Sequence, residues 1–135
     1  MSSSVSNPSL TEHVAALEAG AHVVAAHFLK DVPALALSDG TVALSRGGET
    51  TRVAAHPESG ILVAASGGDR LVTGGDDGRV VAIRADGAMD QLGLAKGGAW
   101  IDALAVHPDG AVAWSAGRAV VALSLIHISE PTRPY

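Results

Sequence analysis

Val53-Ala-Ala-His-Pro-Glu-Ser-Gly-Ile-Leu-Val-Ala-Ala65 repeats an earlier stretch of the chain, Val14-Ala-Ala-Leu-Glu-Ala-Gly-Ala-His-Val-Val-Ala-Ala26, at an offset of 39 residues (53 minus 14), with six of thirteen positions identical. Two further landmarks keep that spacing. Asp39-Gly40 returns as Asp77-Gly78 after 38 residues (77 minus 39), and Val80-Val-Ala-Ile83 returns as Val120-Val-Ala-Leu123 after 40 (120 minus 80). Ala and Val account for 25 and 15 of the 135 residues, so isolated matches mean little. A steady offset at three separate places means that one structural unit recurs.

The unit reads as β. In the first copy Val23–Leu29, Val32–Leu37 and Thr41–Leu44 are apolar runs of strand length, punctuated by Gly, Asp and Pro. The second copy offers Ile61–Ala65, Arg70–Thr73, Arg79–Ile83 and Asp90–Leu94. The third offers Ile101–Val106, Ala111–Ser115 and Ala119–Ala122. Asp39 and Gly40, and likewise Asp77 and Gly78, fall between two runs, where glycine supplies the positive φ of a hairpin turn. Residues 9–21 admit two readings. Ser9-Leu-Thr-Glu12 fits a helix capping box, with Leu10, Val14, Leu17 and Ala21 at helical spacing. The repeat favours a strand at Val14–Leu17, because the matching stretch carries Pro57 and leads into strands.

About four short strands recurring every ~40 residues is the pattern of a propeller blade. The expected fold is all-β, a partial β-propeller of antiparallel four-stranded units. His56 ahead of a strand, Asp77-Gly78 in an inner hairpin and the His107-Pro-Asp-Gly110 turn after an inner strand resemble the WD-repeat (Trp-Asp) β-propellers over about residues 12–123. In that family a His, a Ser or Thr, the hairpin Asp and a Trp form a buried hydrogen-bonded tetrad. By position the resemblance implies His56, Thr73 and Asp77, with Ile83 where the Trp should stand. Leu17 occupies the His position of the first unit, and Ala116-Gly117 replaces Asp-Gly in the third. Only one unit can therefore carry even a partial tetrad.

Composition narrows the function classes. The net charge is −5 (9 Lys and Arg against 14 Asp and Glu), and no basic stripe is present, which argues against nucleic-acid binding. No apolar run reaches the ~20 residues of a membrane span. Cys is absent, so no disulfide or thiolate metal site exists. The start, Met1-Ser-Ser-Ser-Val-Ser-Asn-Pro8, lacks the basic and apolar regions of a secretion signal. The cytoplasm is the expected compartment, and the Ala-, Val- and Gly-rich composition suits a GC-rich bacterial genome.

A search for chemistry returns little. His22 and His27 flank a strand and face opposite sides, and no metal-ligand spacing occurs. Asp76-Asp77 reads as turn chemistry, since Ca²⁺ ligands at alternating positions are missing. The Gly67, Gly74 and Gly97 pairs lack phosphate-loop spacing, and Ser66 and Ser115 lie in no nucleophile elbow. No catalytic, cofactor or metal site is expected. Trp114 reads as core, and Trp100 as a contact for a partner.

Leu123-Ser-Leu-Ile-His-Ile-Ser-Glu-Pro-Thr-Arg133 breaks the repeat and contains neither Gly nor Ala. It resembles the translation of a transposon-based sequencing-library adaptor, so residues 124–135 are expected to be non-native. Residues 1–11 are expected to be disordered. Residues 12–123 would then form two full blades and parts of others, with Val14–Leu17 as the strand that closes the last blade of a longer ring. Open blade edges would favour self-association. The family resemblance implies a non-catalytic scaffold for unidentified protein partners. The alternative is a propeller enzyme or ligand sensor whose channel site lies in a missing C-terminal half.

Overall fold

The computed structural model describes residues 19–124. The strand expected at Val14–Leu17, the disorder expected for residues 1–11 and all but the first residue of the tail expected to be non-native, 124–135, lie outside the described residues. Eleven strands follow in order: β1 (Val23–Leu29), β2 (Val32–Leu37), β3 (Thr41–Arg46), β4 (Glu49–Ala54), β5 (Ile61–Gly67), β6 (Arg70–Gly75), β7 (Arg79–Arg84), β8 (Met89–Leu94), β9 (Ala103–Val106), β10 (Val112–Ala116) and β11 (Ala119–Leu123). They form three antiparallel meanders: β1-β2-β3-β4, β5-β6-β7-β8 and β9-β10-β11. The only helical element among the described residues is a 3-10 turn at Lys96–Gly98.

The strand β4 is a correction to the sequence reading, which placed no strand there. Its sequence, Glu-Thr-Thr-Arg-Val-Ala, is largely exposed and gives no apolar alternation. Pairing along the whole of β3, from Arg46↔Glu49 to Thr41↔Ala54, holds it in the sheet. Backbone hydrogen bonding decides such an outer strand, and hydrophobicity does not report it.

The Asp-Gly turns share one geometry. In the β2–β3 turn Gly40 N–H donates to Leu37 O at 3.1 Å, Gly40 has φ +89°, and Asp39 Oδ1 accepts from Thr41 N–H at 3.0 Å. The β6–β7 turn repeats this with Gly78 to Gly75 O at 3.2 Å and Arg79 N–H to Asp77 Oδ1 at 2.9 Å. The same carboxylate bond recurs at Asp86 and Asp109, each at 2.9 Å. A short side-chain acceptor followed by a residue free to adopt positive φ satisfies the turn locally.

Strand alternation sorts the core. From the second sheet, Leu71, Val81 and Ile83 pack with Ala34, Ala36, Val42 and Leu44 of the first. Val72, Val80 and Ala82 point the other way, towards Val112 and Trp114 of the third and Ile101 just before it. The middle sheet is thus covered on both faces, and β6 is buried along its whole length. The third sheet's far face, with Ala103, Ala105, Ala113, Ser115 and Val120, borders an open hollow of about 240 Å³.

Polar links between sheets follow the repeat spacing. Ser66 on β5 lies 2.9 Å from His27 Nδ1 on β1, 39 residues away. Arg70, almost fully buried at the start of β6, donates to Gly110 O at 2.7 Å, 40 residues away. Equivalent positions of neighbouring units are therefore in contact. The loops between sheets also dock on the Asp-Gly turns: His56 N–H donates to Gly40 O at 2.9 Å, and Ala95 N–H donates to Gly78 O at 2.7 Å.

Candidate functional site

The densest polar cluster joins the 55–60 loop to the second sheet. His56 lies between β4 and β5, Thr73 points into the core from β6, and Asp77 sits in the β6–β7 turn. His56 Nδ1 is 3.0 Å and 3.2 Å from the two Asp77 carboxylate oxygens. His56 Nε2 is 2.7 Å from Thr73 Oγ1. A carboxylate only accepts, so Nδ1 donates to Asp77, while Nε2 shares a hydrogen bond with the Thr73 hydroxyl, which also has the Val81 carbonyl as an acceptor. Asp77 Oδ1 additionally takes the Arg79 N–H of its own turn.

Local packing makes room for this chain of bonds. A Cβ at Gly75 would lie 2.5 Å from His56 Nδ1 and 2.8 Å from Asp77 Oδ1. The loop is also stitched to the turn from its other end. Asp76 N–H donates to Gly60 O and Gly60 N–H donates to Asp76 Oδ1, each at 3.1 Å. Asp76 and Asp77 therefore divide the work, one holding Gly60 and the other His56. Arg79 Nε, at 4.0 Å from Asp77 and exposed, adds little.

The order Asp–His–Thr has the connectivity of a nucleophile, its base and an orienting acid. Its position excludes that use. His56 and Thr73 are both fully buried, and the Thr73 hydroxyl faces His56 and the Val81 carbonyl, 3.4 Å away. A substrate cannot reach the oxygen. The cluster locks a loop, a strand and a turn together, which is structural work for groups that otherwise carry catalysis.

Asp39, Gly40 and Gly78 occupy the hairpin turns. Asp39 serves its own turn and, among the described residues, meets no histidine. Ile83, which the sequence resemblance set in place of a tryptophan, is fully buried in the core between the first two sheets. Trp114 is 6% exposed and packs against Gly93 on β8. Trp100 is 63% exposed in the loop before β9. It borders a shallow hollow of about 300 Å³ with Gly98, Ala99, Asp102 and Gly117. A second cleft, of about 530 Å³, opens between β8 and the third sheet, lined by Leu92, Leu94, Ala95, Trp114, Val121 and Leu123.

The His27–Ser66 pair was not legible as a site, because neither residue stands in a motif. Its only signal in the sequence is a separation of 39 residues, the repeat period. No group of three or more metal-ligating side chains occurs among the described residues. None of their helices is long and apolar enough to cross a membrane. Comparison with models of known protein families and with curated proteins finds no match for this chain.

Proposed function

We propose that the chain is part of a WD-repeat-type β-propeller that acts as a non-catalytic scaffold for protein partners. Three features support the propeller reading. The sheets are consecutive antiparallel meanders, equivalent positions one repeat apart touch, and the middle sheet is sandwiched between its neighbours. The His56–Thr73–Asp77 chain matches the order of the family's tetrad without its tryptophan. The uncovered apolar face of the third sheet suits a further unit packed against it. The Ala-, Val- and Gly-rich, Cys-free composition suits a bacterial cytoplasmic setting for such a protein.

The observation that carries the scaffold reading is the contrast at the loop end. The polar side chains there are spent on holding loops to turns, while Trp100 stands 63% exposed beside a hollow. Exposed tryptophans beside concavities are frequent anchors for partners. Selection of a displayed peptide library on the immobilised full chain tests this. Enriched peptides that bind wild type and lose binding to Trp100→Ala, with an unchanged melt, are expected. Absence of any enrichment refutes the reading.

A second reading, a propeller enzyme or sensor, draws on the half-buried Ser66–His27 pair at 2.9 Å between the first strands of two units. A serine-directed fluorophosphonate distinguishes the two. Labelling of Ser66 that His27→Ala abolishes favours the enzyme, and an unlabelled Ser66 removes it.

A further inference from the structure

Resting on the scaffold reading, we propose that the hollow formed by Trp100, Asp102, Gly98 and Gly117 binds an arginine side chain of a partner polypeptide. The hollow is built from both sides. Asp102 N–H donates to Ser115 O at 2.8 Å, and Asp102 Oδ2 accepts from Gly117 N–H at 2.7 Å. The first bond holds the backbone, the second ties one carboxylate oxygen of this lining residue to Gly117, and the other oxygen has no hydrogen bond among the described residues. Between Trp100 and Asp102, Ile101 is fully buried against Gly74 and pins the loop to the second sheet. The indole is therefore exposed on a short tether with a buried anchor next to it.

The chemistry selects the occupant. An exposed indole face attracts a cation, and a fixed carboxylate next to it adds a directional acceptor. Among the described residues no lysine or arginine pairs with Asp102, whereas Asp77 already has Arg79 near it. The pair is thus an aromatic and an anion with no ion-pair partner for Asp102 within 4.0 Å among the described residues. The chain's net charge of −5 adds long-range attraction for a basic partner. Arginine suits the site better than lysine, because its planar, weakly hydrated guanidinium stacks on an indole while its edge donates to a carboxylate. The floor offers room, since Gly98 and Gly117 carry no side chains and nothing lies within 4 Å of where a Cβ would stand at either.

The test uses the full chain and three blocked pentapeptides, Gly-Gly-X-Gly-Gly, with X arginine, citrulline or lysine. Binding is read from the assigned Trp100 indole N–H signal by NMR titration. The arginine peptide is expected to shift that signal and not the one from Trp114. Citrulline, which keeps the shape and loses the charge, is expected to bind about tenfold more weakly, as is the arginine peptide towards Asp102→Asn. Lysine is expected to fall between. Equal binding of arginine and citrulline overturns the proposal, as does an unmoved Trp100 signal at millimolar peptide. Trp100→Phe, which keeps an aromatic face, guards against loss of fold: it is expected to retain weakened binding and an unchanged melt. If the library selection described above enriches peptides that bind independently of Asp102, the arginine pocket falls and the scaffold reading stands. If the arginine peptide binds but no library peptide is enriched, the pocket stands and the scaffold reading falls.

Discussion

Asp77 and Asp39 occupy the same place in two turns of the same geometry, and comparing their alanine variants isolates the buried histidine. Each carboxylate accepts the N–H two residues on, Arg79 at 2.9 Å and Thr41 at 3.0 Å. Only Asp77 also accepts from His56, which is fully buried. Asp39→Ala loses one exposed turn bond, a cost of about 0.5–1.5 kcal/mol. Asp77→Ala loses the same bond and strands a buried N–H donor, which adds about 1–3 kcal/mol. The expected total for Asp77→Ala is about 2–4 kcal/mol, or a fall of about 10–20 °C in Tm for a domain of this size. Asp77→Asn retains an oxygen acceptor and is expected to cost about half as much. Thr73→Val leaves Nε2 of a buried ring without its hydrogen-bond partner, and about 1–3 kcal/mol is expected. The assay is urea unfolding followed by far-UV circular dichroism, with the four variants and wild type in one buffer. The reasoning is refuted if Asp77→Ala costs no more than Asp39→Ala, because the difference between them is the worth assigned to His56.

Other perturbations test other links. Gly75→Ala drives a Cβ to 2.5 Å from His56 Nδ1, so it should destabilise by about 1–3 kcal/mol. Combined with Asp77→Ala, it should cost clearly less than the sum, because both break the same contact. Gly93→Ala meets the Trp114 ring, and the expected signs are a red-shifted tryptophan emission and a loss of about 1–3 kcal/mol; an unmoved spectrum would show that the β8–β10 contact is not as described. Arg70→Met removes the donor to Gly110 O, so amide exchange in the His107–Gly110 turn should accelerate while that in β7 stays slow. Trp100→Ala, with its side chain in solvent, should leave the melt within about 0.5 kcal/mol of wild type. A larger loss would mean that Trp100 is part of the core.

How much of this was legible beforehand depended on which kind of signal each element carries. The strands of the middle unit were readable because both faces of that sheet are covered, so their apolar runs are dense and bounded by turn residues. The Asp-Gly turns were readable because their geometry is closed within four residues. The strand β4 was not, since five of its six residues are exposed and only pairing with β3 holds it. His56, Thr73 and Asp77 were singled out only through a resemblance, and the structure joins them by hydrogen bonds. The cluster's burial, and so the inaccessibility of the Thr73 hydroxyl, depends on how the first two sheets meet.

The sequence by itself determined the β class, the period of 38 to 40 residues and the places where the chain turns, because repetition and turn chemistry are local and survive without knowledge of neighbours. Tertiary structure alone decided which polar groups meet. His27 finds Ser66, Arg70 finds Gly110 and His56 finds Asp77 across separations of 39, 40 and 21 residues. Such contacts exist only after sheets have packed, since it is burial that makes a donor need its particular acceptor. The same packing left Trp114 covered and Trp100 bare, two tryptophans that composition cannot tell apart.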